Sequence, residues 1–141
     1  MILYLDTSSL VKLYVREDGS DEVMALLDGA RVVATSQVAY AEARAAFARK
    51  HREGDFTEEQ YHTVVGNLER DWGAYFVLDV SRPVSKIAGE LAERHSLKGL
   101  DAIHLASALI LSTRLGSMVT FSSSDRKLKD AARAASLNVC K

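Results

Sequence analysis

Four acidic residues could together hold a divalent cation. They are Asp6, Glu42, Asp101 and Asp125. Converging carboxylates repel one another unless helix N-termini or a bound cation place positive charge between them. Oxygen ligands without His or Cys suit Mg²⁺ or Mn²⁺, and one or two such ions can activate water and stabilise a phosphoryl group during displacement. The chemistry that this set of residues predicts is phosphodiester hydrolysis.

Each acid also has a purely structural explanation. Taken singly, Asp6, Asp101 and Asp125 could be ordinary turn or helix N-cap residues, and Glu42 could lie on the surface of a helix. The combination favours a site, because an acid at the end of a buried strand and another at the head of the most apolar helix are costly to leave unpaired.

Short apolar runs alternate with helical patterns along the chain. The predicted strands are 1–5, 31–35, 74–80, 117–122 and 137–140, and the predicted helices are 8–15, 20–27, 36–52, 57–72, 83–98, 100–115 and 125–135. Ser20, Ser36 and Thr57 are predicted as helix N-caps, the last in a capping box with Gln60. This alternation predicts an α/β fold of three layers, α/β/α, around a central, mostly parallel sheet of four to five strands.

The predicted elements would bring the four acids to one edge of the sheet. Asp6 follows the first strand and Asp125 follows the fourth. Glu42 lies in the second turn of the helix after the second strand, and Asp101 opens the buried apolar helix. Open parallel sheets form their sites at the carboxyl ends of the strands, so we expect the acids to converge there.

Composition predicts one soluble, cytoplasmic domain. A chain of 141 residues with 48% hydrophobic residues has the size and the core of a single domain. Its one cysteine, Cys140, cannot form an internal disulfide, which fits a reducing compartment. The start lacks the basic and apolar regions of a signal peptide, and no apolar stretch is long enough to span a bilayer.

The charge balance limits how the chain could bind nucleic acid. A net charge of −1, from 18 Lys and Arg against 19 Asp and Glu, is unlike that of a general nucleic-acid coat protein. RNA contacts would therefore have to come from local basic clusters, which lie at residues 44–52 and 126–133. Solvated helix faces and phosphate contacts explain these clusters equally well. On the second explanation, Arg44, Arg49 and Arg126 are the candidate RNA-binding residues.

Four segments resemble the sequence motifs of PIN-domain proteins. Residues 3–14, LYLDTSSLVKLY, are similar to the opening motif of that family, and Ala41-Glu42 after Ser36 fits its second acidic block. Residues 99–108, GLDAIHLASA, and residues 121–128, FSSSDRKL, are similar to the third and fourth blocks. The resemblance covers almost the whole chain in order. Ser122 departs from it, because an apolar strand residue is more usual at that position.

The resemblance implies a single PIN domain over residues 1–141 that acts as a ribonuclease. It implies that Asp6, Glu42, Asp101 and Asp125 hold one or two Mg²⁺ or Mn²⁺ ions. Ser123 and Thr7 would then orient ligands or phosphate. Small members of the family are chiefly VapC-type toxins, which are ribonucleases held inactive by a co-encoded antitoxin. We therefore expect an RNA substrate, a cognate antitoxin and a homodimer.

Two rival functions and two structural alternatives stay open at this point. A non-catalytic PIN-like module would bind RNA or protein without needing the acids. A phosphoacceptor signalling domain could use Asp79 at the end of the third strand, but it needs a second acid beside Asp6. His104, one turn after Asp101, could touch the site or be a hydrogen-bonded, partly buried residue. The helical aromatics could stack on bases or fill a core or a subunit interface; they are Tyr40, Phe47, Tyr61 and Trp72.

Overall fold

The computed structural model of the protein describes residues 1–140 and contains one parallel sheet of five strands. The strands are β1 (Ile2–Leu5), β2 (Val32–Ser36), β3 (Phe76–Leu78), β4 (Val119–Ser122) and β5 (Asn138–Val139). They lie in the order β3-β2-β1-β4-β5, and every neighbouring pair is parallel. The prediction of a parallel sheet of four to five strands is confirmed.

Seven helices connect and cover the strands of residues 1–140. They are α1 (Thr7–Lys12), α2 (Ser20–Asp28), α3 (Val38–Arg52), α4 (Glu58–Trp72), α5 (Arg82–His95), α6 (Gly99–Leu115) and α7 (Arg126–Ala134). The capping box of Thr57 and Gln60 at the start of α4 is confirmed. Two predicted caps are wrong. Ser20 is the first residue of α2, and its hydroxyl ties the preceding loop by donating to the Val15 carbonyl; Ser36 ends β2.

The sheet separates two hydrophobic cores. Alternation along β1 sends Ile2 and Tyr4 to the face covered by α5, α6 and α7, and sends Leu3 and Leu5 to the face covered by α1 to α4. The predicted three layers are therefore confirmed. The helical aromatics belong to the second core, where Phe47 is fully buried and the other three pack against it.

The chain changes direction in the sheet between β1 and β4. It runs outward from β1 through β2 to β3, and then crosses back to add β4 and β5 on the other side of β1. The helix after β1 covers one face and the helix after β4 covers the other. A crevice forms at such a switch point, beyond the carboxyl ends of the strands, and ligands of parallel α/β sheets bind there. None of the helices in residues 1–140 has the length and apolar character needed to cross a membrane.

Candidate active site

A pocket of about 460 Å³ lies at the carboxyl edge of the sheet, and all four predicted acids line it. We call it the acidic pocket. Its polar lining includes Asp6, Thr7, Ser8, Glu17, Glu42, Arg49, Lys50, Lys98, Asp101, His104 and Asp125. The acids come from four different elements on both faces of the sheet, as the alternation of strands and helices predicts.

Asp6 is buried and fixed by its neighbours. It is the N-cap of α1, and its Oδ1 accepts hydrogen bonds from the Ser9 N–H at 2.9 Å and from the Ser8 hydroxyl at 2.7 Å. Its own N–H donates to the carbonyl of Ser122, which ties it to β4. Within residues 1–140, Oδ2 makes no hydrogen bond and is left to face the acidic pocket. Asp6 is thus both a cap and a pocket acid.

Asp125 combines the same two roles in a more exposed position. It is the N-cap of α7, and its Oδ1 accepts from the Leu128 N–H at 2.9 Å. Ser123 accepts a hydrogen bond from the Asp125 N–H at 3.0 Å, but it lines a different pocket. Ser123 therefore shapes the turn before Asp125 and does not line the acidic pocket, whereas Thr7 does.

The unusual Ser122 has a local explanation. Its side chain is buried at the end of β4, and its hydroxyl lies 2.8 Å from the Ser9 hydroxyl. The contact gives each buried hydroxyl a hydrogen-bond partner, so a polar residue is tolerated at this strand position. The contact also joins α1 to β4 next to Asp6.

Glu42 is held by Thr7 and His104. The Thr7 hydroxyl donates a short hydrogen bond to Oε1 of Glu42, and Nε2 of His104 lies 3.3 Å from the same oxygen. Burial would raise the pKa of the Glu42 carboxyl, but the hydrogen bonds from His104 and Thr7 and the nearby imidazole outweigh burial and leave the pKa lowered. Glu42 is therefore kept as a carboxylate.

His104 lies at the inner end of the acidic pocket. Only 1% of its surface is exposed, and its Nδ1 lies 2.9 Å from the Tyr4 hydroxyl. Both alternatives drawn from the sequence therefore hold, since His104 is hydrogen-bonded in the core and also lines the pocket. The spacing of His104 three residues after Asp101 indicated that it could reach the site, because residues three apart share a helix face.

Asp101 shows most clearly that the acids share one space. It lies in the first turn of α6, and its pKa is raised by burial and then by the negative charges of Asp125, Asp6 and Glu42. His104 opposes these effects without cancelling them. An acid with no acidic neighbour would not be shifted in this way, so the structure brings the four predicted acids together.

The residues present fit a hard divalent cation by chemistry and charge. Their carboxylate oxygens are the ligands that Mg²⁺ and Mn²⁺ prefer, and their mutual repulsion would be relieved by a positive ion. As the side chains of residues 1–140 stand, no three His, Cys, Asp or Glu groups are close enough to hold a metal ion. Asp6 and Glu42 each direct one oxygen to protein hydrogen bonds, so a cation would be held by the remaining oxygens.

Basic side chains from two elements lie beside the acids. Arg49 was predicted from the sequence, Lys50 belongs to the predicted basic cluster at residues 44–52, and Lys98 was not proposed; all three line the acidic pocket. Lys98 was missed because it stands alone, outside either basic cluster. Arg44 does not line the pocket, since its guanidinium donates to the Tyr40 hydroxyl and to Glu69 on α4.

Two further residues lie outside the acidic pocket. Arg126 is exposed at the start of α7 and does not line the pocket. Asp79 is exposed at the carboxyl end of β3 and also does not line it, and the N-cap of α5 is Ser81. Asp79 therefore has the strand-end position expected of it but caps no helix.

Comparison with known proteins gives consistent matches over the whole chain. The family profile described as "PIN domain" matches residues 3–134. The chain is 38% identical over 138 residues to ribonuclease VapC45 of Mycobacterium tuberculosis, covering 98% of this chain and 94% of that protein.

Two solved structures share the fold. VapBC2 from Rickettsia felis, bound to a DNA fragment from its promoter, matches with a TM-score of 0.63 and 16% identity, covering 99% of this chain and 98% of that one. VapC20 of M. tuberculosis, described as a sarcin-ricin loop cleaving toxin, matches with a TM-score of 0.64 and 18% identity, covering 92% of this chain and 94% of that one.

Proposed function

This chain belongs to the PIN-domain family, with the VapC ribonucleases among its relatives, and from that premise we propose that it hydrolyses RNA phosphodiester bonds as the toxin of a toxin–antitoxin pair. One observation carries the proposal: four acids from four elements share the acidic pocket, and three of them raise the pKa of the fourth, Asp101. The relative VapC45, which this chain matches over 94% of its length, is named a ribonuclease.

We propose that the acids hold one or two Mg²⁺ or Mn²⁺ ions. Asp6, Asp101 and Glu42 would be ligands, directly or through water, and Asp125 would complete the set. When bound, such a cation would make water more acidic and offset the negative charge that develops on the phosphate. The support is the all-oxygen donor set in one pocket, where burial and then the charges of the other three acids raise the pKa of Asp101.

The chain's own residues prepare the site. The α1 cap holds Asp6 rigidly, because two hydrogen bonds to Oδ1 leave only Oδ2 free. Glu42 is kept ionised, and its hydrogen bonds within residues 1–140 all involve Oε1. Its Oε2 is thus placed to accept a proton from water or to contact a cation. Both acids are preorganised, so little rearrangement is needed when RNA binds.

Basic residues beside the acids would position the RNA backbone. Arg49 and Lys98 reach the acidic pocket from α3 and from the start of α6, and each offers a cation to a phosphate. Arg126 would contact RNA beyond the pocket, next to Asp125. Arg44 is a weaker candidate, because it does not line the acidic pocket. Both arginines have an acidic neighbour, Glu69 at 3.4 Å for Arg44 and Glu53 at 3.8 Å for Arg49.

We propose a cognate antitoxin as the protein partner and a homodimer as the assembly. The antitoxin would inhibit by placing a basic side chain among the pocket acids, whose repulsion it would relieve as a cation does. Structural neighbours include a toxin–antitoxin complex from Klebsiella pneumoniae and the VapBC structures from Rickettsia felis and nontypeable Haemophilus influenzae. Exposed apolar side chains at the carboxyl end of α6 support a subunit interface there; they are Leu115 and Met118.

Cleavage and growth assays test the proposal. Purified protein free of antitoxin should cut RNA, Asp6→Asn should not, and the exposed control Asp79→Asn should cut like the wild type. Expression of the chain alone should slow growth, and its genetic neighbour should restore it. If folded wild-type protein binds RNA but cuts none and leaves growth unaffected, the chain is a binding module.

A further inference from the structure

A continuous series of hydrogen bonds links the core to Glu42. The Tyr4 hydroxyl lies 2.9 Å from Nδ1 of His104, and Nε2 of His104 lies 3.0 Å from the Thr7 hydroxyl. The Thr7 hydroxyl in turn contacts Oε1 of Glu42. These four residues come from β1, α6, α1 and α3, so the series joins both faces of the sheet at the acidic pocket.

The directions of the two hydrogen bonds at Thr7 follow from the groups involved. A carboxylate only accepts, so Thr7 donates its single hydroxyl hydrogen to Glu42. The Thr7 oxygen must then accept from His104, which places a hydrogen on Nε2. Nδ1 of the same ring pairs with the Tyr4 hydroxyl, which accepts when Nδ1 carries a proton and donates when it does not.

Packing prevents the imidazole from turning. Tyr4 and His104 are 0% and 1% exposed, so neither side chain has room to adopt another rotamer. The Tyr4 ring stacks on Phe121 with 5.5 Å between centroids and meets the His104 ring edge-on at 5.9 Å. The donor on Nε2 is therefore held at one place and aimed at Thr7 and Glu42.

We infer that His104 is a positioning residue for Glu42, acting directly and through Thr7. The Nε2–H and the Thr7 hydroxyl both lie against Oε1, and Oε2 makes no hydrogen bond within residues 1–140, in a residue that lines the acidic pocket. Tyr4 anchors the other side of the ring. The inference rests on the proposed function, and it assigns the orientation of one of the acids to the buried His104 and the partly buried Thr7.

A matched pair of variants separates orientation from packing. His104→Gln keeps an N–H donor near the Nε2 position, whereas His104→Leu fills a similar volume without a donor. Both lose the ring and should lower the melting temperature by similar amounts. Loss of such a supporting hydrogen bond typically costs about 10- to 100-fold in metal affinity or activity. We expect a loss of that size in kcat and in Mn²⁺ affinity for His104→Leu, an almost unchanged KM for RNA, and recovery of most of the loss in His104→Gln.

Isothermal titration of the folded protein with Mn²⁺ alone gives a readout that does not depend on cleavage. Equal kcat and equal Mn²⁺ affinity for the Gln and Leu variants would overturn the inference, because packing alone would then account for His104. If His104→Leu does not fold, Thr7→Ser and Thr7→Val replace the pair, since only Ser keeps the hydroxyl. Thr7→Ser should then stay closer to wild type than Thr7→Val in both measurements, and equality would again overturn the inference.

Nitrogen-15 NMR of the histidine side chains tests the hydrogen-bond direction in the metal-free protein. We expect the His104 signal to show a proton bound at Nε2, and a bare Nε2 would overturn the inference. These results are distinguishable from failure of the proposed function. Wild-type protein that cuts no RNA would reject the ribonuclease, while the NMR signal and the Mn²⁺ affinities would still decide the role of His104.

Discussion

Asp125 lies close enough to the partly buried Asp101 for its negative charge to add to the effect of burial, and together they raise the pKa of the Asp101 carboxyl. The two acids begin different helices, α7 and α6, that the sequence separates by a strand. Their interaction shows that the carboxyl edge of the sheet gathers negative charge at one place. Such a concentration has measurable consequences for stability as well as for catalysis.

Replacing Asp101 by Asn should abolish RNA cleavage without destabilising the metal-free protein. The charged carboxyl is disfavoured by burial and by its acidic neighbours, and Asp101 caps no helix. The amide removes that repulsion, so the free energy of unfolding should stay unchanged or rise by up to about 1 kcal/mol. Thermal melts in EDTA beside an RNA cleavage assay provide the measurement. Asp79→Asn is the control, and an Asp101→Asn protein that melts lower yet still cleaves would show that Asp101 is structural.

The stability difference between wild type and Asp101→Asn should grow as the pH rises. A group whose pKa is raised on folding binds more protons in the folded state. Its contribution to the free energy of unfolding is therefore greatest below the unfolded pKa and is lost as the pH rises through the folded pKa. The gap should therefore open above about pH 4, where an unperturbed Asp titrates. Urea unfolding of both proteins in EDTA across this range checks the sign, and a gap that narrows with pH would contradict it.

Glu42→Gln should show the opposite dependence. The pKa of Glu42 is lowered, because the hydrogen bonds from His104 and Thr7 outweigh its burial. A lowered pKa contributes stability that is present above the unfolded value, about 4.3, and is lost as the pH falls through the folded pKa. Glu42→Gln should thus be less stable than wild type near neutral pH and should converge with it in acid. The same urea series measures this, and a gap that persists in acid would contradict the prediction.

Asp125 allows its capping role to be separated from its role in the pocket. Asn keeps an oxygen that can accept from the Leu128 N–H, whereas Ala does not. Asp125→Ala should therefore lose about 1 kcal/mol of stability, and Asp125→Asn should lose little. Both variants should cleave RNA poorly, because both remove the charge. Full activity in Asp125→Asn would mean that Asp125 serves only as a cap.

Much of the fold could be predicted because local signals agreed with the packing. The capping box at Thr57 and the apolar runs of β1 and β4 fixed these elements within a few residues. The cap at Ser20 failed because its hydroxyl bonds to the preceding loop. The cap at Ser36 is misplaced by one residue, because β2 extends through Ser36 and Gln37 is the N-cap, although the Ser36 oxygen accepts from the N–H of Val38, the first residue of α3.

The acids of the site could be predicted because position relative to the strands determines where they meet. What the sequence did not give were the partners of each side chain. No local sequence pattern indicates that Ser123 lies outside the lining of the acidic pocket or that Lys98 lines it. Nor does one indicate that Arg44 forms an ion pair with Glu69. Such choices depend on rotamers and on contacts between distant segments.

Arg49→Ala should weaken RNA binding more than Arg44→Ala does. Arg49 lines the acidic pocket, while Arg44 is engaged by Tyr40 and Glu69. The logarithm of the RNA association constant falls linearly with the logarithm of the salt concentration, and loss of one phosphate contact should make that slope shallower by about 0.7 for single-stranded RNA. Filter binding with a cleavage-inactive Asp101→Asn background at several salt concentrations measures that slope. Equal slopes for the two arginine variants would remove Arg49 from the RNA contacts.

The central claim is that the four acids form one metal-dependent ribonuclease site, and metal removal tests it most directly. Antitoxin-free protein should be assayed on end-labelled RNA in Mg²⁺ or Mn²⁺, in excess EDTA, and after the metal is restored. Ligand-linked stabilisation of the folded state should appear in parallel as a Mn²⁺-dependent rise in melting temperature that shrinks in Asp6→Asn. We predict cleavage with metal, none in EDTA and recovery on re-addition, and equal cleavage in EDTA would contradict the account.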